Sequence, residues 1–219
     1  MLEKRVVVLF DGTTWDLMSQ VSVPTRSRKQ TTYDDRSSSD WAGQTQKTPP
    51  MRRRLHLNLH QPLPEPSADS GARPVLPEDA AALARLILRA YAGTIDDGGE
   101  GPEEAAAEVQ ALLSGAYGAF DFSASELIER EGNVVAATLI THFEGHPLLA
   151  FTMTDPAWKR RGLGRAGLLR SIHRLRKAGE GSLHLVVTRG NQPAEQLYES
   201  LNMTPPPPGK GAEIAKISV

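Results

Sequence analysis

The 219-residue chain contains no cysteine, which excludes disulfide bonds, thiolate catalysis and cysteine-ligated metals. Long apolar runs are also lacking, because none reaches the ~20 residues that a membrane-spanning helix needs. The N-terminus shows neither the apolar segment nor the cleavage pattern of a signal peptide. We therefore expect a soluble, cytoplasmic protein that has no membrane partner.

A net excess of one charge is absent too. The chain has 25 Lys and Arg against 26 Asp and Glu, and its pI is near 6.6, so nothing draws the whole protein toward nucleic acid. The charges are nevertheless segregated. Residues 90–129 hold nine acids and no Lys or Arg, whereas residues 155–180 hold eight cations and two acids. One region would attract a cation and the other an anion, although two solvated faces would give the same pattern.

Residues 1–70 differ in composition from the rest of the chain. After a candidate strand at residues 4–10, the sequence is rich in Ser, Thr, Gln, Arg and Asp, and residues 62–66 are rich in proline. Such a composition buries too little apolar surface to offset chain entropy. We predict that residues 11–70 are largely disordered. We also read residues 1–70 as an extension that is partly non-native, with Met51 as an alternative start, and residues 72–219 as the folded domain.

Apolar periodicity in residues 72–219 predicts alternating helices and strands. Helical stripes cover residues 77–92, 103–114, 162–178 and 192–201. Strand patterns cover residues 125–130, 134–142, 147–154 and 183–187, with a candidate last strand at 213–219. Hairpins followed by a strand–helix–strand crossover give an α/β fold with a mixed, mostly antiparallel sheet and helices on both faces.

A glycine pair stands where the third predicted strand passes into a helix. Gly162 and Gly164 frame this turn, and cations surround it at Lys159, Arg160, Arg161 and Arg165. Backbone N–H groups at a helix start are unpaired and carry partial positive charge, so they favour an anion. The pattern therefore indicates a pyrophosphate cradle. By itself, a Gly-Leu-Gly turn could equally be an ordinary helix start.

A second motif gives the cradle its context. The cradle motif Gln/Arg-x-x-Gly-x-Gly/Ala falls on residues 159–164, where Lys159 departs from the pattern. The motif Asn-x-x-Ala-x-x-Leu-Tyr-Glu-x-Leu falls on residues 191–201. Together these motifs make residues 73–203, about three fifths of the chain, resemble the GCN5-related N-acetyltransferase (GNAT) superfamily.

The resemblance implies the GNAT fold with a splayed central strand pair, and acetyl-CoA as co-substrate with no metal. The resemblance implies that the pantetheine arm of acetyl-CoA pairs with the backbone of Thr152, Met153 and Thr154. The pyrophosphate of acetyl-CoA would lie on the cradle. The cofactor-binding residues implied in and near the cradle are Lys159, Arg160, Arg161, Gly162, Leu163, Gly164, Arg165, Ala166 and Asn191. The implied reaction passes the acetyl group directly to a primary amine in a ternary complex.

Two residues of the second motif have alternative roles. Tyr198 is the expected general acid for the departing thiolate, and its alternative is a core residue on a helix face. Asn191 would hold the pantetheine or the loop, or simply cap the following helix. A general base is needed because an aliphatic amine of pKa ~10 is mostly protonated at neutral pH. Among His142, Glu144, His146 and Asp155, we name Glu144.

The acidic region 90–129 indicates the charge of the acceptor, because this region falls where the resemblance places the acceptor site. A cationic acceptor fits there, such as a polyamine, an aminoglycoside, a lysine or a protein N-terminus. The alternative function is a non-catalytic, regulatory acyl-CoA-binding module. The Arg52–Arg54 run is too short to indicate a nucleic-acid partner, and the histidines lack metal-ligand spacing. The oligomeric state, with a homodimer among the options, is left open.

Residues 6–13 resemble the first motif of haloacid-dehalogenase-type phosphatases. Leu9 stands where those phosphatases need the nucleophilic aspartate. The similarity fails at the residue that would perform the chemistry, so a phosphatase is disfavoured.

Overall fold

The structure is a computed structural model that describes residues 8–10, 15–17, 51–66 and 71–206. Its strands are Val8–Phe10 (β1), Trp15–Leu17 (β2), Arg52–Asn58 (β3), Ala72–Pro74 (β4), Ala119–Phe120 (β5), Glu126–Arg130 (β6), Asn133–Phe143 (β7), His146–Thr154 (β8) and Ser182–Thr188 (β9). Its α-helices are Ala80–Tyr91 (α1), Pro102–Leu113 (α2), Leu163–Lys177 (α3) and Gln192–Glu199 (α4). Short 3₁₀ turns at Pro77–Asp79 and Pro156–Trp158 precede α1 and α3.

The main sheet is mixed and open. Its strands follow the order β3-β9-β8-β7-β6-β4, and β5 also pairs with β7. The β8–β9 pair is parallel and the other pairs are antiparallel. This arrangement confirms the predicted mixed, mostly antiparallel α/β sheet. Strands β1 and β2 form a separate antiparallel pair.

The helices cover both faces of the sheet because successive strand residues point to opposite sides. On β7, Leu139 packs with helices α1 and α2, whereas its neighbour Ile140 packs with α3 and α4. The apolar stripe of α1 is buried at Leu83, Leu86 and Ile87. The matching stripe of α3 is buried at Leu168, Leu169, Ile172 and Leu175. Two apolar layers therefore hold the sheet between two helix pairs.

The prediction that residues 11–70 are disordered is wrong where the structure describes that segment. Strand β3 pairs antiparallel with β9 from Arg52↔Thr188 to Asn58↔Ser182. Leu55, Leu57 and Leu59 alternate with polar residues and are at most 2% exposed, because they pack under α3 and α4. The ordered domain thus includes β3 and does not begin at residue 72. Strand β2 also falls within the segment predicted to be disordered.

Other expectations have mixed outcomes. The four predicted helices and four predicted strands of residues 77–201 are all present, with ends that differ by at most three residues. The candidate strand at residues 213–219 and most of residues 1–50 lie outside the described residues. The position beside β9 is taken by β3. Thr204, which follows α4, forms a bridge with His56 on the outer edge of β3.

An ion-pair cluster ties β4 to the start of α1. Both carboxylate oxygens of Asp79 accept hydrogen bonds from Arg73, each at 2.8 Å, and Oδ2 also accepts one from the Leu76 N–H. Arg73 donates a further hydrogen bond to Glu129 on β6 at 2.6 Å. The hydrogen bond from Arg73 is the main reason that the pKa of Asp79 lies below its ordinary value.

We predict that Asp79→Asn lowers the free energy of unfolding at pH 7 by about 2 kcal/mol, the scale of a charge-assisted hydrogen bond. Because the folded pKa of Asp79 is lowered, its contribution is complete above the unfolded pKa near 4. That contribution is lost as pH falls through the lowered folded value. Urea unfolding across pH 2–7 should show the two proteins converging in acid.

The exposed neighbour Glu78 provides the matched control. Glu78→Gln should change unfolding by less than about 0.5 kcal/mol at any pH in this range. A deficit in Asp79→Asn that stays constant into acid would show that ionisation of Asp79 does not contribute to stability.

Candidate functional site

The central feature of the site is the divergence of β8 from β9. Within the described chain these parallel strands share one register pair, Leu148↔His184, and then separate. The gap forms a cleft whose walls are residues 148–152 of β8 and 186–188 of β9. Backbone N–H and C=O groups along an unpaired strand edge require other partners, such as the amides of a bound ligand. The predicted splayed strand pair is therefore confirmed.

A β-bulge lies on the wall of this cleft. Strand β8 pairs with β7 at Phe151↔Leu139 and at Leu149↔Ile140, which leaves Ala150 as the extra residue between them. Ala150 lines the cleft. A bulge turns the local backbone out of the regular ladder and often stands beside an active site.

The predicted cradle lies at the end of β8, and its two glycines have different roles. Gly162 is the N-cap of α3 with φ +78°, and a Cβ atom there would enter open space. Gly164 packs closely, since a Cβ atom would approach Thr154 Oγ1 to 3.2 Å. The first glycine thus sets the turn and leaves room for a ligand. The second lets the helix approach the strand.

The cations of the cradle are exposed at Lys159, Arg160 and Arg161. The Arg161 guanidinium stacks on the Trp158 ring, with its carbon 4.5 Å from the ring centroid. The Ala166 N–H already donates to Gly162 C=O at 2.9 Å, so it belongs to the helix ladder. The Ala166 N–H is therefore not available to an anion, and the predicted anion contacts of the residues before it stay a prediction.

Tyr198 reaches the cleft from the last turn of α4 and is 6% exposed. Burial, together with Tyr91 and Asp96, raises the pKa of its hydroxyl well above the ordinary value. The phenol consequently keeps its proton at neutral pH. Tyr198 is also part of the core cluster beneath α4, in keeping with its alternative description as a core residue on a helix face, while the general-acid role stays a prediction.

Asn191 joins the start of α4 to the loop between α1 and α2. Its Oδ1 accepts a hydrogen bond from the Ala194 N–H at 3.3 Å, which makes it the helix cap. Its Nδ2 donates to Asp96 Oδ2 at 2.7 Å, and Thr188 Oγ1 donates to Asp96 Oδ1 at 2.6 Å. Asp96 therefore fastens its loop over the corner between β9 and α4.

The four base candidates from the sequence lie outside the residues described as lining the cleft. Glu144 occupies the exposed β7–β8 turn with φ +49°. His142 contacts Asp121 at 2.9 Å, His146 contacts the ring of His184, and Asp155 accepts from Arg89 at 2.6 Å.

Three charged side chains that were not predicted as site residues line the cleft instead: Arg52, Asp96 and Glu108. Asp96 and Glu108 belong to the acidic region 90–129, and membership of that region is the feature of the sequence that points to them as site residues. Arg52 was hidden because its strand was not recognised. Of the predicted site residues, Thr152, Asn191 and Tyr198 meet in this cleft, whereas the Met153 side chain is buried against α1 and α2.

The described residues contain no group of three or more His, Asp or Glu side chains that could hold a metal ion. No helix in the part of the chain that the structure describes is long and apolar enough to cross a membrane.

Comparison with known proteins identifies the class. Residues 96–203 match the acetyltransferase (GNAT) family, and the domain built around the cleft belongs to that family. A mycothiol acetyltransferase of Thermobifida fusca is 49% identical over 47 residues, which make up 22% of this chain and 15% of that protein. A mycothiol acetyltransferase of Nocardiopsis dassonvillei is 49% identical over 47 residues, 22% of this chain and 14% of that protein.

Solved structures agree on the fold. A GCN5-related N-acetyltransferase from Sphaerobacter thermophilus superimposes with a TM-score of 0.56 at 20% identity, over 70% of this chain and 47% of that one. A putative acetyltransferase of the GNAT family from Novosphingobium aromaticivorans gives 0.50 at 19% identity, over 71% of this chain and 61% of that one. The chain thus spans only part of the length of each relative.

We predict that Gly162→Ala weakens CoA binding at least about tenfold, equivalent to 1.4 kcal/mol. Alanine is strained at φ +78°, and its methyl group enters the space that we assign to the ligand's phosphates. Titration calorimetry with CoA measures the affinity, and thermal unfolding measures the strain.

Gly162→Asn separates these two effects, because asparagine tolerates positive φ better than alanine. It should recover stability without recovering CoA affinity. If both variants bind CoA as the wild type does, the phosphates do not lie at this turn.

Proposed function

We propose that the protein is an N-acetyltransferase that moves an acetyl group from acetyl-CoA to a primary amine by direct attack in a ternary complex. One observation carries the proposal. The protonated hydroxyl-bearing side chain of Tyr198 lines the gap between the splayed strands, which ends near the glycine cradle. Membership of the acetyltransferase (GNAT) family supports acetyl-CoA as the co-substrate.

The cofactor would be held by backbone more than by side chains. The β8 edge at Thr152–Thr154 and the bulge at Ala150 present peptide groups to the arm of the cofactor. The N–H groups of residues 161–165, with Lys159 and Arg160 beside them, would hold the pyrophosphate. An N–H donor at the bulge would stabilise the negative charge that develops on the thioester oxygen during attack.

Tyr198 acts as a hydrogen-bond donor to the departing sulfur. As the amine nitrogen forms its bond to the carbonyl carbon, the C–S bond breaks and its electron pair stays on sulfur. A phenol with a raised pKa stays protonated and so can donate a hydrogen bond, but it gives up its proton reluctantly. Tyr198 therefore stabilises the thiolate mainly through the hydrogen bond, and solvent completes its protonation.

Glu108 is the better-placed base for the attacking amine. It projects from α2 into the same cleft as Tyr198, and its Oε1 atom is shielded from solvent. Glu144, the sequence prediction, lies on an exposed turn and would have to act through a chain of water molecules. A carboxylate at residue 108 would both attract the ammonium form of the acceptor and accept its proton.

The acceptor that we infer is an amine drawn in by Asp96 and Glu108. These carboxylates place negative charge at the cleft, as the acidic region 90–129 indicated. The curated relatives are named for mycothiol, and their partial match supports an acetyltransferase without naming the acceptor of this chain.

Tyr198→Phe should lower kcat by about 10²-fold or more, the scale for the loss of one hydrogen-bond donor to charge that develops in the transition state. Thiol release from acetyl-CoA against a panel of amines measures this loss. Because burial raises the pKa of Tyr198, kcat of the wild type should show no falling limb from this group below about pH 10.

The affinity for CoA is the internal control, and it should be unchanged in Tyr198→Phe. Full activity in the variant would remove Tyr198 from the mechanism. Tight CoA binding by the wild type, with no thiol release across the panel, would instead support the non-catalytic acyl-CoA-binding module.

Glu108→Gln should reduce kcat/KM at pH 7 by about 10²-fold, because the acceptor then has no base. The loss should shrink as pH rises toward the amine pKa near 10, since free amine accumulates without catalysis. A pH–rate profile of both proteins tests this.

Glu144→Gln is the matched variant, with the same chemical change on an exposed turn. It should follow the wild-type profile throughout. If Glu144→Gln showed the loss and Glu108→Gln did not, the original assignment from the sequence would be right.

A further inference from the structure

A row of basic and imidazole side chains extends from the cleft along β3. In the antiparallel pair β3–β9, Arg52 lies opposite Thr188, Arg54 opposite Val186 and His56 opposite His184. Alternate strand residues share one face, so these three point away from Leu55 and Leu57, which are buried under α3 and α4. The row begins at the cleft, because Arg52, Val186 and Thr188 all line it.

The far end of the row is a histidine cluster. The His184 ring stacks with His56 at a centroid distance of 6.1 Å and meets His146 edge-on at 5.7 Å. Burial, with added repulsion from His146, Arg54 and His56, lowers the pKa of His184 to about 4. His184 is therefore neutral at pH 7, and its surroundings favour negative over positive charge.

Arg54 stands between the cleft and the histidines. Its side chain is partly buried, and this burial lowers the pKa of its guanidinium from the usual value. A partly desolvated guanidinium interacts more strongly with an anion than an exposed one, because the local dielectric is lower. Its planar donors also match a carboxylate or a phosphate.

Two carboxylates also line the cleft: Glu108 from α2, and Asp96 from the α1–α2 loop, which is hydrogen-bonded to Thr188, the register partner of Arg52. A ligand that extends from the cleft along β3 would carry a positive group near these carboxylates and a negative group toward Arg54. A purely cationic polyamine would match the carboxylates and be repelled by the arginines.

We propose that Arg52 and Arg54 form an oxyanion-recognising subsite for the acceptor, so that the preferred substrate is a primary amine that also bears a carboxylate or phosphate. The proposal rests on the proposed acetyltransferase function. It assigns specificity to β3, a strand outside the residues 96–203 that match the family.

The first experiment compares di- and tripeptides that have a free C-terminal carboxylate with the same peptides as C-terminal amides. The wild type should favour the free acids at least about tenfold in kcat/KM. Arg54→Gln should remove that preference by raising KM for the acids, while the amides change little. Phosphoethanolamine compared with ethanolamine distinguishes a phosphate from a carboxylate as the recognised group.

Arg53→Gln is the matched control. Arg53 lies on the opposite face of β3, where it pairs with Glu195 of α4 at 3.6 Å. This variant should keep the preference for free acids. Equal rates with acids and amides, unchanged in Arg54→Gln, would overturn the subsite and leave the acetyltransferase proposal standing.

A second readout does not depend on turnover. N-acetylated dipeptides, the products of the proposed reaction, can be titrated into the protein while the His56 and His184 ring signals are followed by NMR. The free acids should shift these signals in the wild type, and Arg54→Gln should weaken that response at least about tenfold. No shift with any acid overturns the subsite, even if the protein proves inactive.

Discussion

The separation of β8 from β9 after one register pair is the constraint on which the rest of the structure depends. Parallel strands normally continue their hydrogen bonds, and breaking the ladder in the middle of a sheet exposes polar backbone on both edges. The fold tolerates the gap because each strand is held on its other side. Strand β8 pairs with β7 along nearly its whole length, and β9 pairs with β3 along its own. The pairing on these outer sides therefore holds the two strands in place on either side of the gap.

Helix α3 packs across the strands on both sides of the gap and sets where the gap ends. Its buried leucines pack beneath β3 and β9, while Arg170 and Arg174 form ion pairs with the fully buried Glu126 of β6. A buried carboxylate is costly unless it is paired, so these contacts define the rotation and height of the helix more than they add stability. That placement aims the N-terminus of α3, with Gly162 at its cap, at the end of β8.

Local patterns predicted the elements from residue 77 onward because each carries its own periodicity. The strand Arg52–Asn58 has the same kind of signal, with Leu55, Leu57 and Leu59 in alternation. Its signal is weak because the strand begins with three arginines, a proline-rich stretch follows it, and the average composition of residues 11–70 is polar. Its stability comes from pairing with β9, more than 120 residues away, which no local pattern reports.

The residues of the site also fall into those that a local pattern predicts and those that depend on tertiary packing. Gly162, Asn191 and Tyr198 were predictable because each lies in a short motif. Asp96 and Glu108 were visible only as members of an acidic region, since their arrival at the cleft depends on how α1 and α2 dock on the sheet. The sequence therefore favours Glu144 on the β7–β8 turn as the general base, whereas the structure leads us to propose Glu108 on α2.

The unrecognised strand also changes what the cleft can select. Without β3, β9 would be an edge strand. The side of β9 that faces away from β8 would then be open to solvent. With β3 present, the wall of the cleft carries Arg52 and continues to Arg54 and the histidine cluster. The acyl-transfer roles that we propose for the backbone edge and Tyr198 fall within the segment shared with the family. The acceptor subsite that we propose falls on β3, outside that segment, so on this proposal relatives that share the cradle need not share the substrate.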